Sequence, residues 1–243
     1  IAIRELIYEK VFYLLFSFVG LALVLGLLLG QLTYGEQAKL TLDFMLGCAH
    51  LSMVLFSIFM GISLFQRELQ MGSVSMLLSK PISRTSFIMG KYLGQITVQL
   101  GVILAMSLVI TLSCLKFEEV SYIAVYQAIL LIFFETCIIT AITYFFAVNA
   151  GSITAAIASF VFFAVGHYTS ETSKNATTQT KLFSRILSAL IPNLEIFNLK
   201  TFASYGVTIS HQEIGLSFCY ALLCIGVFLV LAAATFDRKD ILT

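Results

Sequence analysis

Apolar residues run along the chain in blocks separated by short polar stretches. Six blocks, at about 11–32, 44–65, 92–115, 122–147, 152–168 and 215–236, match or approach the roughly 20 residues that a helix needs to cross a bilayer. The fourth is long enough to tilt, the fifth is short, and their junction at Val148 to Gly151 reads as a tight uncharged turn. The pattern predicts an all-α integral membrane protein of one transmembrane domain spanning 1–243. Small residues four apart, Ala22, Gly26 and Gly30 in the first block and Ser152 and Ala156 in the fifth, predict close helix contacts.

The polar stretches are patterned too. In residues 1–10, Ile3, Leu6 and Ile7 share one helical face and Arg4, Glu5, Tyr8 and Glu9 another, which predicts an interfacial elbow helix; the alternative is a solvated first turn of the first span. The segment 66–91 is punctuated. Gln66 to Met71 can prolong the second span, Gly72 supplies a stop, and Ser73 can cap a short helix with Val74, Leu77 and Leu78 on one face. Pro81 ends that helix, and Ser83 can cap the third span with Ile82 and Phe87 as a hydrophobic staple. A short amphipathic helix held beneath the membrane suits docking to a cytoplasmic protein, or it rests on lipid headgroups; the residue pattern alone leaves both open. In the long loop 168–214, Phe183, Ile186, Leu187, Leu190 and Ile191 form an apolar stripe stopping at Pro192, which predicts an amphipathic helix acting as a structural cap or as a lid over the mouth.

Composition sharpens this picture. The 243 residues are 59% hydrophobic and 11% charged, with a mean hydropathy of +0.99, a usage that excludes a soluble domain. Tryptophan is absent, so interfacial anchoring falls to Tyr, Lys and Arg. Arg4, Lys10, Arg67, Lys80, Arg84, Lys91, Arg238 and Lys239 gather on one side, whereas the short loops opposite hold only Lys39 and Lys116. Both termini and 66–91 are therefore expected in the cytoplasm, with 168–214 outside as a long translocated loop. The missing initiator methionine implies that residues precede Ile1.

The candidate chemistry is sparse. Cys48, Cys114, Cys137, Cys219 and Cys224 lack metal-ligand spacing and read as packing residues; a Cys48–Cys114 bridge is allowed by their shared membrane face but nothing demands it. His50, His167 and His211 read as isolated interfacial residues, so no metal site is expected. Glu135 is the one ionisable residue assigned to mid-membrane, and it is expected to face the bundle or the dimer interface and not lipid, protonated, hydrated or paired with Thr, Ser or Tyr hydroxyls, either as glue between helices or as a cargo contact. No GxxxxGK[ST] loop is present, so this chain is expected to be no enzyme.

The run Glu68-x-x-x-Gly72-Ser73-x-x-x-Leu77-Leu78-Ser79-x-Pro81-Ile82-Ser83-Arg84, followed by Phe87 and Gly90-Lys91-Tyr92-Leu93-Gly94, resembles permease subunits of type-2 ATP-binding-cassette (ABC) exporters. The resemblance extends to the six blocks, the elbow, "LIPNLEIFN" at 190–198 and "FDRKDIL" closing the sixth block; Gln66 and Gln70 depart from it, standing where members often carry charge. It implies that 66–91 holds a coupling helix seated in a separate ATPase subunit, with Glu68, Gly72, Ser73, Val74, Leu77, Leu78, Ser79, Pro81, Ser83 and Arg84 as coupling residues. It also implies two ATPase copies carrying the ATP and magnesium, a second permease as homodimer or related heterodimer, and residence in the inner membrane. No cofactor in this chain and no nucleic-acid partner are expected.

Three rivals stand beside it. An intramembrane hydrolase would use Glu118-Glu119, but no arginine or histidine is suitably placed. A secondary transporter needs several buried ionisable groups, of which this reading finds one. A non-transporting anchor for a cytoplasmic ATPase is not excluded by the sequence, and the cargo is not legible.

Overall fold

The computed structural model describes residues 20, 24, 28, 37–70, 84–115, 117, 120–174 and 191–237. Six α-helices and one 3-10 turn occur among them: α1 Gln37–Gln70, α2 Arg84–Cys114, α3 Tyr122–Asn149, α4 Ser152–Lys174, the 3-10 turn Leu194–Phe197, α5 Lys200–Ser204 and α6 His211–Asp237. Four stretches are long and apolar enough to cross a membrane, Ala38–Gln66, Thr85–Cys114, Tyr122–Asn149 and His211–Phe236, and Ser152–Tyr168 is a shorter apolar segment. Of the first apolar block only Gly20, Val24 and Leu28 are described, all helical and exposed; the elbow, residues 71–83 of the segment 66–91 and the stripe Phe183 to Leu190 lie outside the described residues.

α1 begins seven residues ahead of the apolar block that announces it, at Gln37 rather than 44. Leu42 belongs to that extension and is buried against the core, as are Met45 and Leu46 one turn on, so packing carries the helix through its polar first turns. The helix also runs on to Gln70, as the sequence predicts. α3 is apolar all round and lies at the centre, against α1, α2, α4 and α6. The apolar windows of α1 and α3 are each 72% buried, those of α2 and α6 only 28% and 22%, so α1 and α3 form the interior and α2 and α6 the flanks. Leu93, Leu100, Leu104, Leu108 and Leu112 make an exposed apolar stripe along α2, suited to lipid or to another helix.

Small residues set the closest approaches. A Cβ on Gly61 of α1 would stand 3.1 Å from Cγ2 of Thr143 on α3. In α4 the closely packed small residues are Ala155 and Ser159, both buried, whereas Ser152 is exposed and Ala156 half-buried; the predicted small-residue face is turned by one position. All five cysteines are free thiols, which removes the Cys48–Cys114 bridge.

The α3–α4 junction is tight, as expected. Ala150 is extended between the two helices, and the Gln66 amide donates to its carbonyl at 3.1 Å while accepting from the Ser152 hydroxyl. An uncharged side chain at the base of 66–91 is thereby fastened to the turn.

At the opposite end of the bundle, residues 191–210 re-enter it. Gly206 sits at φ 72°, a left-handed position that glycine adopts without strain. The bonds Gly206 N–H to Ala203 O and Val207 N–H to Phe202 O, both 3.0 Å, close α5 as a Schellman motif. Gln127 of α3 both donates to the Ile209 carbonyl (3.1 Å) and accepts from its N–H (3.0 Å), which satisfies extended backbone where no strand is available. Deeper in, Leu194 and Phe197 are buried, and the Asn193 N–H donates to the Tyr220 hydroxyl of α6 at 2.8 Å. Irregular backbone among apolar helices is tolerable where protein covers and pairs it; Leu194 and Phe197 are covered and Asn193 and Ile209 paired, while Phe202, Tyr205 and Val207 remain exposed.

Gly166 of α4 is where this segment presses hardest. An added Cβ would lie 2.8 and 2.9 Å from Leu194 side-chain carbons and 3.2 Å from the Pro192 carbonyl. Gly166→Ala is therefore expected to cost about 1–3 kcal/mol by overpacking. Gly47→Ala, with nothing within 4 Å, should cost no more than a few tenths of that. Unfolding of the two variants side by side in one detergent checks the difference.

Candidate functional site

Glu135 lies 13 residues into α3, about 20 Å along its axis at 1.5 Å per residue, and is 1% exposed. An isolated carboxylate at such a position in an apolar helix is costly, roughly 2.5–3.5 kcal/mol on insertion scales, and more where nothing relaxes around it. Two histidines from neighbouring helices meet it. His50 of α1 brings Nε2 to 2.9 Å from Glu135 Oε2, and His167 of α4 brings Nε2 to 2.8 Å from Oε1. The expected hydroxyl partners are replaced by imidazoles, which supply charge as well as hydrogen bonds.

The chain of contacts continues on both sides. His167 Nδ1 stands 3.0 Å from Glu195 Oε2 on the 3-10 turn, and the Asn198 amide donates to Glu195 Oε1 at 3.0 Å. Asn193 caps the same turn by accepting from the Glu195 N–H at 3.1 Å. Lys200 Nζ of α5 lies 2.7 Å from His50 Nδ1. Proton positions follow from these pairings. A lysine ammonium donates to Nδ1, which leaves the His50 proton on Nε2 facing Glu135; His167, with a carboxylate at each nitrogen, is satisfied as the imidazolium. Lys200 and His167 then balance Glu135 and Glu195, so the cluster carries no net charge. Burial pushes Lys200 below the usual lysine range, against the opposite pull of Glu135, Glu195 and Asp43.

One contact is imperfect. His50 Nε2 is buried and, although 2.9 Å from the carboxylate, makes no aligned hydrogen bond. With His50 neutral, the 2.9 Å distance is a polar contact between imidazole and carboxylate, and the missing alignment means that the N–H points off the oxygen. Phe163 walls the cluster, with ring centroids 5.7 Å from His50 and 4.9 Å from His167. The three ligand-type atoms of His50, Glu135 and His167 lie within 4.8 Å of one another.

A second, uncharged polar layer lies further along α1 and α3. Gln95 donates to the Ser57 carbonyl at 3.0 Å, Gln99 donates to the Ser57 and Thr140 hydroxyls at 2.8 Å each, and the Tyr92 hydroxyl donates to the Cys137 carbonyl at 3.1 Å. Gln95 and Gln99 are fully buried, and these bonds tie the flanking helix α2 to α1 and α3.

The sequence-predicted residues fare unequally. Glu135 faces the bundle as expected. Reading His50 and His167 as isolated and interfacial is overturned, and so is the premise that mid-membrane holds a single ionisable group. His211 is exposed at the start of α6 and takes no part. Glu68 falls in the last turn of α1 and Arg84 opens α2, but their side chains, and Gly72, Ser73, Val74, Leu77, Leu78, Ser79, Pro81 and Ser83 altogether, lie outside the described residues, as do Glu118 and Glu119.

Replacing Glu135 by Leu removes the carboxylate and leaves the imidazolium of His167 half-paired, a loss expected at about 3–5 kcal/mol. Glu135→Gln, which keeps one acceptor, should fall between this variant and wild type. Chemical unfolding in mixed micelles measures both; transport lost with stability intact would instead mark Glu135 as a cargo contact.

The family model described as ABC-2 family transporter protein matches residues 3–241. A search of curated proteins found no match.

Proposed function

Since the chain belongs to the ABC-2 family of transporter proteins, a multi-pass membrane permease family, we propose that it forms half of the translocation path of an exporter driven by a separate ATP-binding-cassette ATPase. The observation that carries this reading is the family match over nearly the whole chain. The 66–91 segment, with its apolar trio Val74, Leu77 and Leu78, is then the coupling element between α1 and α2. The working unit is two permeases with two ATPases, which hold the ATP and magnesium. Both termini and 66–91 face the cytoplasm of an inner-membrane protein, with the elbow at 1–10 on that side and 168–214 outside.

The structure adds a route by which force on 66–91 would travel. Gln66, four residues before the end of α1, is bonded to Ala150 and Ser152, so displacement of α1 at its base pulls on the α3–α4 turn. α3 and α4 carry Glu135 and His167, and α1 carries His50. ATP-driven closure at the coupling segment would thus load the same three helices whose contacts converge on the charged cluster, and through it the re-entrant segment at the outer mouth.

A second reading, an ion-driven carrier, gains from that cluster, since buried ionisable groups are what such a carrier requires. The family match favours the ATP-driven reading. Substrate movement into sealed vesicles with ATP, compared with movement under an imposed ion gradient alone, separates them.

Two outcomes are expected. Native mass measurement in nanodiscs should find two permeases bound to two ATPases, and an active monomer without ATPase would refute the assembly. The double variant Leu77→Asp, Leu78→Asp should reach the membrane but lose the ATPase, because each buried leucine contributes roughly 1.5–3 kcal/mol and each aspartate faces an apolar cleft. Co-purification of the ATPase at wild-type levels would show that the segment only rests on headgroups.

A further inference from the structure

From the convergence of two imidazoles and a carboxylate on one buried point, we propose that His50, Glu135 and His167 form a binding site for a single divalent transition-metal ion of the zinc class. Three separate helices supply the donors, so their meeting is a tertiary arrangement and not a consequence of local spacing. The ligand atoms lie within 4.8 Å of one another. Two donors on opposite sides of one zinc ion stand about 4.2 Å apart at most, given bonds of about 2.0–2.1 Å, so only small rotations of the rings are needed. Two nitrogens and one carboxylate oxygen suit zinc, cobalt or nickel; magnesium and calcium favour oxygen throughout.

The surroundings have the features that such a site needs. The His50 Nε2, buried and 2.9 Å from the carboxylate but without an aligned hydrogen bond, is a nitrogen lacking a satisfied role. His167 presents Nε2 to the centre while Nδ1 faces Glu195 Oε2 at 3.0 Å, and Glu195 is itself held by Asn198. That outer carboxylate fixes the ring and its tautomer as metal-binding histidines require. Phe163 excludes water along one side. Three protein ligands leave a fourth position for water or for a cargo group.

Lys200 is the opposing element. Ligation through His50 Nε2 requires the His50 proton to sit on Nδ1, so Lys200 must either accept from it as the neutral amine or withdraw. Binding therefore releases the Nε2 proton of His167 to solvent, and a second proton where Lys200 stays as the neutral amine; where the ammonium withdraws, the His50 proton only moves from Nε2 to Nδ1. Metal and ammonium compete for the same pocket. Removing the lysine should consequently strengthen cation binding, whereas in a purely ionic cluster it would only remove a partner of His50.

The test uses the full chain in lipid nanodiscs, freed of metal by chelator and titrated with Co2+ and then Zn2+. Expected are one Co2+ per chain with the intense visible absorption of a four- or five-coordinate ion, and its displacement by one equivalent of Zn2+. His50→Ala and His167→Ala should abolish stoichiometric binding. Glu195→Gln should weaken it about 10–100-fold as an outer partner, Lys200→Met should tighten it, and His211→Ala, at an exposed histidine outside the cluster, should leave it unchanged. Absence of stoichiometric binding to wild type, or binding indifferent to the His50 and His167 changes, overturns the proposal and leaves an ion-pair network. Should the alanine variants fail to insert, Glu195→Gln and Lys200→Met decide: unchanged affinity in both overturns it.

Discussion

A carboxylate placed in the middle of an apolar helix must be neutralised from elsewhere in the chain, and much of the bundle is organised by how this is done for Glu135. Its two oxygens are taken by His50 and His167, which fixes the rotation of α1 and α4 about α3. Each histidine then needs a partner for its second nitrogen. Glu195 and Lys200 supply them, and both stand on a segment without long helices. The re-entry of residues 191–210 is in this sense a demand of charge. His167 pairs directly with both carboxylates and Lys200 reaches Glu135 through the neutral His50 ring, so two cations and two anions share one polar cluster within a bundle of hydrocarbon helices.

The rest of the interior is built by weaker means. Gln95 and Gln99 anchor α2 through uncharged hydrogen bonds, and Gly61 lets α1 approach α3. Apolar packing between helices gains little in lipid, because lipid tails offer the same contacts, so polar bonds and close backbone approach decide who neighbours whom. α2 and α6 keep wide apolar outer faces, as helices flanking a bundle in lipid should.

Much of this was legible in the sequence and part of it was not. Long apolar blocks declare the spans of α2, α3 and α6 because hydrophobic length is a local property, and the α3–α4 turn is declared by the interruption at Val148 to Gly151. The start of α1 was missed since its first turns are polar and are held by tertiary packing around Leu42. The cluster was missed for a related reason. His50 and Glu135 are 85 residues apart and Glu135 and Glu195 60 apart, and no periodicity links positions on different helices. A signal was nevertheless present, since His50 lies inside an apolar block where an ionisable side chain calls for a partner. The ridge Ser152 and Ala156 was misjudged by one position because four-residue spacing gives the face of a helix only to within its neighbours, and Ala155 and Ser159 share that spacing.

The re-entrant segment also sets an order of events during synthesis. Glu135 leaves the ribosome with His50 already made, but Glu195 and Lys200 follow it by 60 and 65 residues. At about 5–20 residues per second the first of them is roughly 3–12 s late. In that interval α1, α3 and then α4 can assemble around a carboxylate and two imidazoles, with the outer nitrogens of both rings open to water. Residues 191–210 can fold back and close that opening only once the chain beyond α4 has been made, and α6 must insert after them. A nascent chain therefore passes through a hydrated, unplugged stage before the last helix is in place.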